Sequence, residues 1–540
     1  MTPINHAGAR WLTKIRLPLA AAAPLLSAIL WGVLFIAVHP SRQEFPLHDD
    51  WLYARWLFDL ARGEGINYRG LTVMPLLGQW LWALPFVRTF GDSLVTLRLS
   101  TILLSWIGMV ALMDLLRQAG VPRGRAVLAT ACLAANPYFF LLSGTFMSDV
   151  PALSFSLVAL ALSGRAIRGE RFAWMAAAAL AATLATITRQ NALVVPLVMA
   201  AFLWQHPRLR ARPAWNAAVL LPAALGGVTA LWFASRPDTL RLVPAVPNWD
   251  RAAILLFAGI HTLALASAPL LLLAPAAASA RRFYLALGLF LAVAFAYVLD
   301  AQAFPYIGNT IPCFVGMGDV PGSRPVLINE DVQTLITVLG CIAAALLIAT
   351  SAGYIRSNWW RQPLLLFTML HALVLLFSPF LYDRYLIPLL PGAFLAAAAG
   401  SGAERARPWP ALITLAVLAF LSVALMHDWL AWSGAKWSLG RQALAQGIAA
   451  CDIEGGYEWD GWHSEVPGRW NQRARPQGLT TPFMAGIFPH LTGKYALSFS
   501  PITGTTVLET EPYRLWLLPG EHRFYLLADS PRALPPHRIR

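Results

Sequence analysis

Apolar stretches long enough to cross a bilayer recur along this 540-residue chain, and no other feature limits its fold so tightly. They fall at 17–38, 95–116, 126–143, 150–164, 172–188, 191–205, 215–235, 252–279, 283–300, 333–353, 363–381, 385–402 and 409–427. A span needs roughly 20 apolar residues as a helix, so these runs predict about thirteen transmembrane helices. Lipid offers no partner to the backbone, and each run must therefore close its hydrogen bonds within itself. The fold class expected is an all-α polytopic membrane protein.

Charge supports this reading. Only 13% of residues are charged, where a soluble domain carries about a quarter, so neither an ordinary soluble enzyme nor a disordered chain fits. The net charge of +14 comes almost entirely from arginine, with lysine only at Lys14, Lys436 and Lys494. The arginines cluster in alternate loops, as in Arg117, Arg123 and Arg125, then Arg165, Arg168 and Arg171, then Arg208, Arg210 and Arg212. Arg281 and Arg282, Arg356 and Arg361, and Arg405 and Arg407 continue the series. This is the bias of loops kept on the cytoplasmic side, and it leaves no reason to expect a nucleic-acid partner. Arg10, Lys14 and Arg16 precede the first run, which places the N-terminus in the cytoplasm. The expected location is the inner (plasma) membrane of a bacterium, among membrane lipid.

The division expected is a membrane domain over 1–427 and an exterior, periplasmic domain over 428–540. Two exterior loops interrupt the first. The loop at 39–94 holds interfacial helices at Trp51–Ala61 and Met74–Val87, with Trp51 and Trp56 suited to an aromatic belt. The loop at 301–332 is broken up by glycine and proline. Strand-like pieces at Tyr495–Ser500, Thr506–Glu509 and His522–Leu527 make the last domain a small mixed α/β unit. Four cysteines show no metal spacing, and a Cys313–Cys451 bond is the one pairing open to exterior segments.

Ionisable residues near membrane depth cost about 2.5–3.5 kcal/mol each at a helix centre, so they mark function. Three sites stand out on the exterior side. The first is His48-Asp49-Asp50-Trp51-Leu52-Tyr53, directly after the first span. One of the two acids can cap the following helix, but a single cap needs a single side chain. The second is Ser148-Asp149-Val150-Pro151, where capping and chemistry are compatible. The third is a set of arginines, Arg69, Arg189 and Arg384, which have no orientation role and suit a phosphate-bearing ligand. Asp383 beside Arg384 offers a competing local ion pair, and His48 could tune Asp49. His261 and His371 fall inside predicted spans, where hydrogen bonds between helices are their plainer role.

The Asp49-Asp50-x-x-Tyr53 sequence resembles the Asp-acidic-x-x-aromatic motif of the GT-C glycosyltransferases, nearest to the protein O-mannosyltransferase and aminoarabinose transferase group. Phe90-Gly91-Asp92-Ser93 with Arg98-Leu99 is similar to that family's Phe-Gly…Arg-Leu stretch, and Ser148–Pro151 to its second acidic site. Arg384-Tyr385-Leu386-Ile387-Pro388 is similar to its Arg-Tyr-Leu-x-Pro segment. Its His-x-Pro-Pro segment is reduced here to Val73-Met74-Pro75-Leu76, and a lysine often found there has no equivalent unless Arg69 replaces it.

The resemblance implies a GT-C-like fold and an inverting transfer of sugar from a polyprenyl-phosphate donor to an acceptor hydroxyl on a glycan, lipid or protein. Asp49 would act as general base, with Asp50 beside it, and Asp149 would orient the acceptor. A divalent metal, Mg or Mn, would sit on Asp49 and Asp149 if on any residues, although nothing in the sequence requires one. Arg69, Arg189, Arg384, Tyr53 and His48 would hold the lipid phosphate. The loop at 301–332 would close over the site and exclude water. Two other classes stay open: a transporter or flippase for lipid-linked glycans, and a non-catalytic membrane subunit.

Overall fold

The computed structural model describes residues 31, 32, 35, 43–68, 70–240, 244–273, 279–299, 307–316, 320–400, 408–464, 471 and 475–529. Most of the expected first span, Arg69, the pair Arg405 and Arg407, and parts of the 301–332 loop lie outside these residues.

The described chain is mainly helical: α1 Asp50–Ala61, α2 Leu77–Phe90, α3 Leu94–Gln118, α4 Arg123–Ala134, α5 Pro137–Ser143, α6 Asp149–Gly169 and α7 Phe172–Thr188. There follow α8 Val194–Trp204, α9 Pro213–Ser235, α10 Trp249–Ala266, α11 Ala280–Leu299, α12 Glu330–Asn358, α13 Pro363–Leu376, α14 Leu390–Gly400, α15 Pro408–Ala445 and α16 Tyr457–His463. Seven of the described helices (α3, α6, α9, α10, α11, α12 and α15) are long and apolar enough to cross a membrane. The α4–α5 pair, bent by 64°, makes an eighth if taken as one span. The predicted runs at 172–188, 191–205 and 363–381 are realised as shorter apolar helices. The run at 172–188, for instance, forms the 17-residue helix α7, about 25 Å long at 1.5 Å per residue. The protein is a multi-pass membrane protein. Leu231 on α9, Leu285 on α11 and Ile413 on α15 are 74%, 65% and 62% exposed, apolar surface that lipid covers without cost.

Two expectations change. Helix α1 does not lie open on a bilayer surface: eight of its twelve residues are buried. Trp51 and Trp56 belong to the core instead of an aromatic belt, Trp51 packing on Tyr457 and Trp56 on Tyr68 and Trp80. The periodicity of α1 fits both situations, and the C-terminal region that covers it is some 400 positions away in sequence. The last apolar helix also does not end at 427, since α15 continues to Ala445 and packs against the sheet.

The C-terminal sheet has the order β1-β2-β4-β3, from Ile453–Glu454, Tyr495–Ser498, Thr505–Arg514 and Glu521–Asp529. Strand β1 pairs parallel with β2, and the β2–β4 and β3–β4 pairs are antiparallel, with an irregularity between Val507 and Glu509. The four cysteines are free, so Cys313 and Cys451 are not bonded.

Candidate active site

The approach to α1 is set by buried charge. Arg98, one turn into α3, is fully buried and donates to the carbonyls of Gln43 at 2.6 Å and Phe45 at 2.5 Å. Ser93 caps α3 by accepting from Val95 N and Thr96 N, which fixes where Arg98 points. Asp50 lies 3.5 Å from Arg98 and accepts from the backbone N–H of Phe146 at 2.7 Å and of Leu47 at 3.4 Å. Asp50 therefore points into the protein and ties the 44–48 segment to the turn before α6. Burial pushes its carboxyl up to about 6, against the opposing pull of Arg98.

With Asp50 turned inward, Asp49 is presented on the other side. It occupies the N-cap position of α1 yet makes no capping bond through its side chain. Its Oδ2 is 3.3 Å from His48 Nδ1 and 3.5 Å from Arg384 Nη2, and it accepts from Tyr53 OH at 3.4 Å. Burial would raise this carboxyl, but the adjoining His48 and Arg384 outweigh it and hold it down at about 2. His48 takes a left-handed backbone, φ 58°, which costs a non-glycine residue energy and is typical of constrained functional turns. Arg384 Nη1 lies 2.7 Å from His48 Nε2 and 3.0 Å from Nδ1, and Asn309 Oδ1 lies 3.2 Å from Nε2.

Asp149 begins α6, again without a capping role for the Ser148 side chain before it. Arg189 Nη1 lies 2.5 Å from Asp149 Oδ1 and 3.2 Å from Ser148 Oγ. The two carboxylate–guanidinium pairs meet through shared neighbours. Arg189 and Arg384 both stand over the Tyr385 ring, at 5.4 and 5.7 Å. Met74 Sδ lies 3.8 Å from Tyr53 OH on the Asp49 side and accepts from Ser148 Oγ at 2.9 Å on the Asp149 side. Asp49, Asp149, Arg189, Arg384, Tyr53 and His48 thus gather at one place, whereas Asp50 is turned away and Arg69 lies outside the described residues.

The Asp383 side chain does not take Arg384 as a local ion pair. It is fully buried and accepts from the backbone N–H groups of Asn309, Thr310 and Ile311, each within 3.1 Å, and of Arg384 itself at 2.6 Å. This binds the 307–316 segment beside the site. Asn309 and the buried pair Lys436–Glu458 carried no sequence signal as site residues, and Asp383 and Tyr385 stood out only as neighbours of Arg384. Glu458 accepts from His48 N at 3.3 Å and pairs with Lys436 at 3.0 Å. Among the described residues no group of three His, Cys, Asp or Glu side chains is placed to hold a metal ion. Asp49 and Asp149 already face guanidinium groups, so their surroundings suit an anion better than a cation.

Residues 73–233 match the family described as dolichyl-phosphate-mannose-protein mannosyltransferase. The chain resembles the GT-C glycosyltransferases. The matched segment includes Met74, Arg98, Asp149 and Arg189. Among solved structures, ArnT from Cupriavidus metallidurans bound to undecaprenyl phosphate is 13% identical, covers 95% of this chain and 99% of its own, and has a TM-score of 0.45. The oligosaccharyltransferase AglB from Archaeoglobus fulgidus, in complex with an inhibitory peptide and a dolichol-phosphate, is 11% identical over 89% of this chain and 70% of its own, with a TM-score of 0.46. Arabinofuranosyltransferase AftD from Mycobacteria is 13% identical over 95% of this chain and 42% of its own, with a TM-score of 0.38. No curated protein matches the chain.

Proposed function

We propose that this protein transfers a sugar from a polyprenyl-phosphate donor to an acceptor hydroxyl at the exterior face of a bacterial plasma membrane, with inversion at the anomeric carbon. The observation that carries this reading is the pairing of the buried Asp149 and the partly buried Asp49 with two buried arginines around Tyr385, beside the start of the membrane helix α6. Charges kept there at this cost suit a reaction that needs both a proton acceptor and an anion site. In the orientation proposed, residues 1–427 form the catalytic domain with a cytoplasmic N-terminus, and the segment from 428 faces the periplasm.

The donor phosphate would take Arg384 and Arg189 as bidentate partners, with His48 and Tyr53 alongside. The guanidinium charge would stabilise the lipid phosphate as the glycosidic C–O bond breaks and its electrons pass to the phosphate oxygen. Asp49 would take the proton of the attacking hydroxyl. Held low by His48 and Arg384, its carboxyl is a weak base in the unliganded protein. A phosphate that engages Arg384 would withdraw that counter-charge and strengthen the base when donor is bound. Asp149 would orient the acceptor, and the 307–316 segment would exclude water that would otherwise hydrolyse the donor.

The experiment is turnover of purified protein with a panel of undecaprenyl-phosphate-linked hexoses and pentoses, comparing wild type with Asp49→Asn and Asp149→Asn. Both variants keep size and hydrogen bonding but not charge. A fall of at least about 100-fold in kcat for Asp49→Asn is the expected result for a general base, and unchanged turnover in both variants would overturn the assignment.

A further inference from the structure

The histidines on α10 and α13, His261 and His371, are not alike. His261 on α10 is satisfied: its Nδ1 is 2.7 Å from the Phe257 carbonyl and its Nε2 3.3 Å from Cys341 Sγ. His371 on α13 is 3% exposed, and neither of its ring nitrogens has a hydrogen-bond partner among the described residues. Among the described residues its ring neighbour is Phe367, at 5.2 Å. A buried polar group left without a partner is costly, so an imidazole kept there without structural reward points to a ligand.

A cavity shows what that ligand would meet. His371 lines it together with Asp149, Ser156, Arg189 and Tyr385. The space open to the centre of a water-sized group is about 10 Å³, room for a single oxygen atom with its hydrogen. Asp149 shows the matching deficit, for its Oδ1 faces Arg189 while its Oδ2 is buried and has no partner among the described residues. An acceptor, Asp149 Oδ2, and a ring that in its neutral form offers one N–H donor thus border the same small space. A hydroxyl needs such a set, since it donates its hydrogen to the carboxylate and accepts from the imidazole. Inorganic phosphate is far too large for the cavity, and a methyl group would leave both partners unpaired.

We propose that this cavity is a subsite for one hydroxyl of a sugar, read by His371 and Asp149, so that His371 sets specificity. The proposal rests on the glycosyltransferase reading and adds a residue to it that neither the motifs nor the ion pairs indicate. The charged and titratable groups facing the ring are Asp149 from α6, Arg189 from the turn after α7, and Tyr385 from the 383–389 turn. The hydroxyl would come from the sugar of the donor or from a sugar-bearing acceptor. A site built to bond a hydroxyl rejects the compound lacking it far more strongly than an apolar pocket rejects an added group.

The test compares wild type with His371→Phe and His371→Gln, using sugar substrates and their single-deoxy analogues, first in the donor and then in the acceptor. Wild type is expected to prefer one hydroxylated compound over its deoxy analogue by at least about 100-fold in kcat/KM. His371→Phe should compress that ratio to about 10-fold or less, through loss on the hydroxylated compound, and His371→Gln should retain part of it. Removing an unpaired polar group should leave the thermal unfolding midpoint of His371→Phe in detergent equal to or above that of wild type, which separates this role from a structural one. A ratio that is unchanged in both variants, in both the donor and the acceptor series, would overturn the proposal, as would a His371→Phe variant that unfolds at lower temperature with its ratio intact. If Asp49→Asn loses turnover while these ratios stay unchanged, the subsite fails and the glycosyltransferase reading stands; wild type that transfers nothing removes both.

Discussion

The backbone N–H of His48 donates to the carboxylate of Glu458 at 3.3 Å, across 410 positions of the chain. The bond crosses from the loop that presents Asp49 to the short helix α16 of the C-terminal region. Glu458 is itself held by Lys436 of α15 at 3.0 Å, and all three groups are buried. The left-handed backbone of His48 therefore has a charged anchor in the C-terminal region. This makes the geometry of the candidate base depend on a segment with no obvious chemistry of its own.

Breaking that anchor from either side has different consequences. Lys436→Met leaves a buried, unpaired carboxylate, and an uncompensated charge of this kind costs roughly 3–5 kcal/mol. Glu458→Gln keeps an acceptor for His48 N but strands Lys436. The double substitution removes both charges and should recover most of the stability lost by either single one, as read by thermal unfolding in detergent. Turnover should stay reduced in the two variants that carry Glu458→Gln, because the amide is a weaker partner for the His48 N–H than a carboxylate.

Arg384 touches both His48 and Asp49, so its replacement should affect the anion site and the base together. Arg384→Lys keeps the charge but loses the planar fork. The expected outcome is at least about 10-fold weaker inhibition by free undecaprenyl phosphate, a loss of about 1.4 kcal/mol. Unaltered inhibition would place the lipid phosphate elsewhere.

A pH effect is expected from the C-terminal region. Glu454 and Asp460 are both buried on either side of the Gly455-Gly456 turn, where Asp460 accepts from Gly455 N at 3.0 Å and Glu454 from Gly456 N at 3.2 Å. Burial pushes the Asp460 carboxyl up to about 7 from 3.8. Burial, followed by the nearby Asp460 charge, also raises Glu454. A carboxyl with a raised value in the folded state keeps its proton there after the unfolded chain has lost its own. Stability from this source is full below about pH 4, declines as pH rises towards 7, and then levels. Hydrogen exchange of the β1–β2 amides should show greater protection at pH 5.5 than at pH 7.5, and Asp460→Asn should flatten that difference.

Asp383 receives three consecutive backbone N–H groups from residues 309–311. Asp383→Ala would orphan those donors at a cost of about 1–3 kcal/mol for each one left buried. The expected result is faster proteolysis within 307–316 and a rise in donor hydrolysis relative to transfer, measured as free sugar released without acceptor.

The membrane class and the charged groups at the site were readable from sequence for one physical reason. Asp49, Asp149, Arg189 and Arg384 are expensive where they stand, and cost is visible in a sequence of apolar runs. Asp50 shows the limit of that signal, since its price and its position match those of Asp49 while its side chain turns inward to Arg98 and Phe146. Asn309, Glu458 and Lys436 were not readable, because each derives its importance from partners tens to hundreds of positions away. His371 was assigned an ordinary interhelical bond, and only coordinates could show that the bond is missing. The same blindness applies to α1, whose apolar face fits lipid and protein equally well.

Helix α15 runs unbroken from Pro408 to Ala445, a rod of about 57 Å at 1.5 Å per residue. One end stands in oil, the other carries Lys436 and lies on the sheet. The C-terminal region is consequently no detachable accessory. Grafting it onto a relative, or trimming α15 short, would cut through a beam that holds the loop carrying Asp49 in alignment.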